Sequence, residues 1–394
     1  MAAIGVPLAT CADQTLAELA AATGSGAVAK LDGATLLCER AMLGGMVVPG
    51  RVSAGGGCRL FAAVDDTIAL NLARTADREL LPALFETDEL DSHDFEAIAA
   101  RIARSTAAEL LSRGRSMGLA IACEHEALAC PRDACIELVT GCGGITRARH
   151  SPRVVDLSAL WAGPLAAHLL WLSGAEVVKV ESRTRPDAMR DGNNTFYALL
   201  NQGKASVALD FTQPNDRQAL LALIGASDIV IEAARPRALA QLGIDAAQIV
   251  RTTPGLVWVT ITGHGATGEA AGWVGFGDDC AVSGGLSAAL RAATGRTGFV
   301  GDAIADPLTG ISAALVAWQA WISRQGGRFG VAMSHVVARG LAAEREQDPD
   351  ALQSSLRAWS AAVGKPFPTV SRRPISALAS FGEHTSSYLA KHTH

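Results

Sequence analysis

From Val154 onward the chain alternates short β-branched runs with helix-patterned stretches, and that alternation limits the folds open to it more than any other feature. VVDLS is followed by AGPLAAHLLWLSG and then EVVKVE; SVALD precedes a helical pattern over Asn215 to Ala226; DIVIEA precedes another over Arg237 to Leu242; LVWVTIT closes the series. Strands that are apolar throughout, rather than at every second residue, have to be covered on both faces. Helices lying between them supply that cover, so the expectation is an α/β fold built on a doubly wound, Rossmann-like parallel sheet. Such sheets bind ligands beyond the carboxyl ends of their strands. Here those ends lead into Ala162 to Pro164, Glu181 to Arg190 and Asn201 to Lys204.

The first 150 residues have a different texture. Arg59 to Ala63 and Thr67 to Leu72 read as a strand pair turning at Asp65-Asp66, followed by helical patterns over Glu79 to Phe85 and Phe95 to Arg113. A chain of 394 residues can bury two cores. The expectation is therefore a small α+β domain over residues 1–140 and a large domain over 141–394, joined by the polar, glycine-rich stretch Val139 to Pro152. Gly55, Gly56 and Gly57 stand in a row within SAGGGC, either as a plain loop or as one that must move or approach a ligand closely.

Several function classes are disfavoured by composition. A net charge of −5 offers no electrostatic footprint for nucleic acid. No run of about 18 apolar residues occurs, and Met1 to Leu8 lacks the regions of a signal peptide, so neither a membrane nor export is expected and the cytoplasm is the expected compartment. The eight cysteines then read as reduced thiols. Cys123, His125, Cys130, Cys135 and Cys142 cluster without a paired C-x-x-C, so no metal site is expected. GHGATG (Gly263 to Gly268) has dinucleotide spacing, but the glycine-rich EAAGWVGFG that follows cannot open the helix a phosphate site needs. An irregular loop is expected there.

One carboxylate stands out. In GDAIADPLTGISAALVAWQAW, Asp306 lies at the mouth of an apolar helix with Leu308, Ile311, Leu315, Trp318 and Ile322 on one face. If the helix begins at Asp306, with Pro307 in its first position, the side chain is either an N-cap or a nucleophile held at the helix's free N–H groups.

These segments resemble family III CoA-transferases, the group that includes formyl-CoA transferase, carnitine CoA-transferase and the alpha-methylacyl-CoA racemases. VVDLSALWAGPLAAHLLWLSGAEVVKVE resembles the family's opening strand, helix and strand. NQGKASVALDF, IEAARPRALAQLGI and LVWVTITGHGATG continue in order, and FVGDAIADPLTG falls where the family keeps its catalytic aspartate. The segment order departs from the family's. GGGCRLFAAVDDTIALNLARTADRELLPALF and STAAELLSRGRSMGLAIA resemble a small domain that the family places late, between segments like VAMSHVVA and RRPISALASFGEHT. The chain thus looks circularly permuted, or cut from a tandem duplication.

The resemblance implies an enzyme that moves CoA from an acyl-CoA thioester to a free carboxylic acid through an aspartyl-CoA thioester. It assigns Asp306 as nucleophile and Gly55, Gly56 and Gly57 as the loop closing over it. Ala162, Gly163, Arg183, Lys204 and Arg235 become the CoA-binding set. CoA is then a substrate and no cofactor is permanently bound. A homodimer is implied, with a hetero-oligomer of paralogues as the other possibility. Two departures bear on chemistry. Gly275, Phe276 and Gly277 stand where racemases carry a His-Asp pair, which leaves His264 as the nearby histidine. Glu232 to Arg237 replaces the family's E-N-F-R-P-G. Racemase or isomerase chemistry, and a CoA-binding subunit without turnover, are the alternatives. Trp161, Phe276, Phe299 and Val300, with few charges nearby, suggest an apolar acyl end.

Overall fold

Three strands, β1 (Cys58–Ala62), β2 (Thr67–Asn71) and β3 (Ala120–Cys123), form an antiparallel sheet in that order. Seven more form the large sheet: β4 (Ile136–Gly141), β5 (Arg153–Asp156), β6 (Glu176–Ser182), β7 (Ala205–Leu209), β8 (Ile229–Glu232), β9 (Val257–Thr262) and β10 (Gly327–Ala332). They belong to a computed structural model that describes residues 5–126, 136–141, 150–234 and 236–392.

The large sheet runs β4-β10-β9-β8-β5-β6-β7, parallel throughout except for β4, which pairs antiparallel with β10 at one edge. The doubly wound expectation holds, and the reason is visible in single residues. Val154, Ile229, Ile231, Val257 and Val259 pack into a cluster on one face, while their neighbours Val155, Val230 and Trp258 pack into a second cluster on the other. Side chains alternate sides along a strand, so apolar residues at consecutive positions require cover twice. From β5 the chain proceeds through β6 to β7 in one direction, and from β8 through β9 to β10 in the other. The strand order reverses between β5 and β8, and the crevice at their carboxyl ends is the switch point of the fold.

Helix Ala305–Ile322, the aspartate helix, is buried nearly all round. It packs against helix Ala162–Leu172 and helix Ala9–Thr23, and Trp318 Nε1 donates to the Ala22 carbonyl at 3.1 Å. Leu16, Leu19, Leu36 and Leu37, from helices Ala9–Thr23 and Gly33–Leu43, share the cluster that holds Ile311 and Val154. Residues of the first 48 positions thus pack with the large sheet, and β4 at 136–141 hydrogen-bonds to it.

The three-stranded sheet has its own core, with Ile68, Leu70 and Ile121 against Leu81, Leu84, Ile98, Ile102 and Leu110. Its other face, through Cys58, Leu60, Ala69 and Ala122, meets Val282 and Phe299 of the large unit. The helix read over Phe95 to Arg113 is two helices, Phe95–Ile102 and Ala107–Ser116. Thr106 and Glu109 form a capping box that starts the second, Thr106 Oγ accepting from the Glu109 N–H while the Glu109 carboxylate accepts from the Thr106 N–H. No helix among the described residues is long and apolar enough to cross a membrane.

Candidate active site

The aspartate helix begins one residue earlier than the sequence suggests. Ala305 is its first residue, Ile304 holds the capping position with no side-chain cap bond, and Asp306 lies inside the first turn with Pro307 after it. Asp306 therefore does not cap the helix. Its N–H donates to the Ala303 carbonyl at 2.9 Å. Ala303 has a left-handed backbone, φ 43°, a conformation costly for a residue with a side chain. It is held there by Asp278, whose Oδ1 accepts the Ala303 N–H at 3.0 Å.

This turn explains Gly277. A Cβ at that position would lie 2.2 Å from Asp306 Oδ2 and 2.3 Å from the Ala303 carbonyl oxygen. In the stretch where racemases carry a His-Asp pair, glycine lets the aspartate's carboxyl and its supporting turn come against the start of helix Gly277–Ser283. Gly163 does comparable work at the switch point, since a Cβ there would meet Ser158 at 2.2 Å.

Asp278, Asp302 and Arg40 surround Asp306, and Asp279 adjoins Asp278. Asp302 is fully buried and takes the guanidinium of Arg40 with both oxygens, Nε lying 2.8 Å from Oδ2 and Nη2 against Oδ1. That guanidinium also stacks on Trp161, 4.8 Å from the ring centroid. Asp279 accepts from Asn71 Nδ2 at 2.9 Å and from the Phe276 N–H, which ties β2 to helix Gly277–Ser283. Although Asp306 is partly open to solvent by area, its carboxyl is enclosed by protein atoms, and burial pushes it up to about 7. Arg40 and the N–H of Ala162 oppose that shift, while Asp278 and Asp302 reinforce it. Burial likewise raises Asp278 to about 6, with Asp302 adding to the shift, and raises Asp279 to about 7.

The glycine loop lies beside this cluster. Ser53 and Cys58 close a turn, with Ser53 N–H to Cys58 O at 2.9 Å and Gly56 N–H to Ser53 O at 2.8 Å, so Gly55 to Gly57 form its tip and Gly56 takes φ 76°. A side chain at Gly55 would stand 3.7 Å from Arg40 Nη2. Asp306 and Ala162 are thus brought together, and of the three glycines Gly55 lies near Arg40 and Gly57 near Asn71.

The expected CoA set divides. Arg183 is exposed at the carboxyl end of β6, its Nε donating to the Ala208 carbonyl at 3.1 Å. Ala162 and Gly163 open the helix that follows β5. Lys204 must be corrected. Its ammonium is buried and donates to Asp156 at 2.8 Å, the Pro164 carbonyl at 2.9 Å and Asn201 at 3.0 Å, so its three hydrogens are already used and none remains for a phosphate. Arg235 lies outside the described residues, as do Cys130, Cys135 and Cys142 of the cysteine cluster.

Two groups of described residues bring metal-ligand types together, His264 with Asp279 and Cys280, and Asp66 with Glu124 and His125. In the first, Asp279 is taken by Asn71 and Phe276; in the second, His125 Nδ1 lies 2.9 Å from Asp66. His264 is buried, and burial lowers it to about 3, so its imidazole is neutral at ordinary pH.

The expectation of few charges around the acyl end fails. Trp161 and Phe299 are core residues, and Asp278, Asp302 and Arg40 occupy the neighbourhood instead. Sequence reading missed these groups. The pair Asp278-Asp279 and the four-residue spacing of Asp302 and Asp306 were available signals, whereas nothing in the sequence links Arg40 to a residue 262 positions away.

The profile of CoA-transferase family III matches residues 151–348, and the chain belongs to that family. Residues of this chain are 32% identical over 180 positions to a succinyl-CoA--D-citramalate CoA-transferase of Chloroflexus aurantiacus, covering 44% of this chain and 45% of that protein. They are 33% identical over 174 positions to a succinate--glutarate CoA-transferase of Agrobacterium fabrum, covering 40% and 43%. The crystal structure of Rv3272 from M. tuberculosis aligns at 27% identity with a TM-score of 0.45, over 52% of this chain and 57% of that one. The chain spans about half the length of the curated relatives it matches.

Proposed function

We propose that this chain transfers CoA from an acyl-CoA to a free carboxylic acid, with Asp306 as the group that carries the CoA in between. The carrying observation is the carboxyl of Asp306 in the first turn of the aspartate helix, beside Arg40 and the Ala162 N–H, with Gly55 of the glycine loop next to that arginine. The carboxylate attacks the donor's carbonyl carbon and the C–S bond breaks, giving a mixed anhydride and CoA thiolate. The thiolate attacks the Asp306 carbonyl, releasing the donor acid and leaving an aspartyl-CoA thioester. The acceptor carboxylate then attacks that thioester to form a new anhydride and thiolate, and the thiolate takes the acceptor's acyl group. Asp306 ends as it began, and no proton is gained or lost.

Each tetrahedral stage places negative charge on an oxygen. N–H groups at Gly55 to Gly57 and at the helix start are suited to receive it, and a closed loop would keep water from the anhydride. Arg183 is assigned to the CoA phosphates and Ala162 with Gly163 to the nucleotide or pantetheine, while Arg235 keeps that role as an expectation. A two-base racemase is disfavoured because Gly275, Phe276 and Gly277 occupy the place of the His-Asp pair and burial, which lowers His264 to about 3, leaves it a weak proton acceptor.

The same reading takes the chain as a permuted family member, with the three-stranded unit ahead of the large sheet. It takes the assembly as a homodimer and the setting as cytoplasmic. A second reading, a subunit that binds CoA and works with a paralogue, draws on one observation, the half-length match to the relatives.

Intact-protein mass after incubation with a panel of acyl-CoAs, trapped with hydroxylamine or borohydride, tests the proposal. An adduct in the wild type and none in Asp306→Ala is expected. CoA binding without any adduct would favour the subunit reading.

A further inference from the structure

Arg40 lies on helix Gly33–Leu43, well outside the segment that matches the family, and no feature of the sequence marks it. Its surroundings are unusual. Asp302 holds the guanidinium in two-point fashion from one side, the Trp161 ring lies under it, and a Cβ placed on Gly55 would stand 3.7 Å from its Nη2. Such a fork is rigid, because the planar guanidinium loses its freedom to both partners at once. The arginine side chain keeps about a fifth of its surface exposed, while Asp302 keeps none.

The charges around Asp306 can be enumerated by the elements that bring them. Helix Gly277–Ser283 contributes Asp278 and the thiol of Cys280, the turn before the aspartate helix contributes Asp302, helix Ala162–Leu172 contributes an N–H dipole, and helix Gly33–Leu43 contributes Arg40. One cation thus stands among three carboxylates. A nucleophilic carboxylate must be ionised to react, and in this enclosure its acid neighbours favour the neutral form.

Resting on the transferase reading, we propose that Arg40 is a positioning residue that keeps Asp306 ionised for attack, with Asp302 fixing the guanidinium where its charge acts on that carboxylate. Arg40 does this without touching the reacting atoms. The glycine loop, seated against the guanidinium, then closes on a group whose charge and place are already set.

Two variants test the two halves of the proposal. Arg40→Met removes the cation and should raise the pH at which Asp306 ionises by about one unit or more, so that below that pH the rate falls about tenfold. Asp302→Asn frees the guanidinium from its two-point hold and should raise that pH as well, whereas removal of an Asp302 that acted only as a nearby anion would lower it; Arg40→Lys should restore much of the wild-type profile. The acidic limb of kcat against pH is one readout. The other is independent of activity: the ¹³C carboxyl resonance of Asp306 in aspartate-labelled protein, assigned by its loss in Asp306→Asn and followed from pH 4 to 9 in each variant.

Upward displacements of the Asp306 titration in both Arg40→Met and Asp302→Asn support the proposal. An unmoved titration in Arg40→Met, or a downward one in Asp302→Asn, with thermal melting showing both variants folded, overturns it. Should the carboxyl move as expected while no acyl-CoA forms an adduct with the wild type, the transferase reading fails and the electrostatic role of Arg40 stands. If Arg40→Met does not fold, the comparison of Asp302→Asn and Arg40→Lys with wild type decides, since an Asp302 that merely adds negative charge would lower the titration on removal and one that holds Arg40 in place would raise it.

Discussion

Replacing Gly277 by alanine tests the geometry of the site most directly. The added methyl carbon would stand 2.2 Å from Asp306 Oδ2, 2.3 Å from the Ala303 carbonyl oxygen and 2.7 Å from the Ala303 carbonyl carbon. Non-bonded carbons and oxygens settle at about 3.5 Å, so something has to retreat by about 1 Å. Two of the three atoms are backbone, in a turn already bent to φ 43° at Ala303 and pinned by Asp278. The flexible partner is the Asp306 carboxyl, and the backbone clash remains after it moves. Overpacking of this kind costs about 1–3 kcal/mol. Alanine's helix propensity returns up to about 1 kcal/mol, less at a helix end than in its interior, so a net loss of about 1–2 kcal/mol is expected. On the proposed role of Asp306 the catalytic effect should be larger, because a nucleophile displaced by about 1 Å loses on the order of a hundredfold in rate. Denaturant unfolding and the acyl-CoA adduct assay, run on Gly277→Ala beside the wild type, measure both. Wild-type stability together with full adduct formation would refute the reasoning, since it would mean that the aspartate does not press on this glycine.

Two further outcomes follow from the buried charges. Lys204→Met leaves Asp156 buried without its partner and should lose about 3–5 kcal/mol in denaturant unfolding; a variant of wild-type stability with weakened CoA binding would instead return Lys204 to the phosphates. Asp278, Asp279 and Asp306 ionise near pH 6 to 7 in the folded chain but near pH 4 when unfolded. Between about pH 4 and 7 the folded protein therefore holds protons the unfolded chain has released, and the cluster's contribution to stability declines as pH rises through that window. Asp278→Asn removes one of these groups, so the fall in Tm from pH 5 to pH 8 should be shallower than in the wild type, by on the order of 2 °C; an equal or steeper fall would show that Asp278 does not hold its proton.

What the sequence determined by itself was the large sheet. Val154-Val155, Ile229-Val230-Ile231 and Val257-Trp258-Val259 carry apolar residues at consecutive positions, and covering both faces is a local requirement that any reader of the chain can see. Asp306 was legible for the same reason, since an acid beside a proline at the start of an apolar run stands out within ten residues. The tertiary structure decided the rest of the site. Lys204 looks like a phosphate ligand until Asp156, Pro164 and Asn201 surround it, and those contacts arise where β7 joins its neighbours. Gly277 reads as part of a stretch that lacks the racemases' His-Asp pair until the Ala303 turn is seen against it. Arg40 acquires its meaning from Asp302 and Trp161, which come from distant segments. Periodicity is written along the chain, so it survives in a string of letters. The charge felt by one carboxylate depends on distances through space between segments, and only folding sets those.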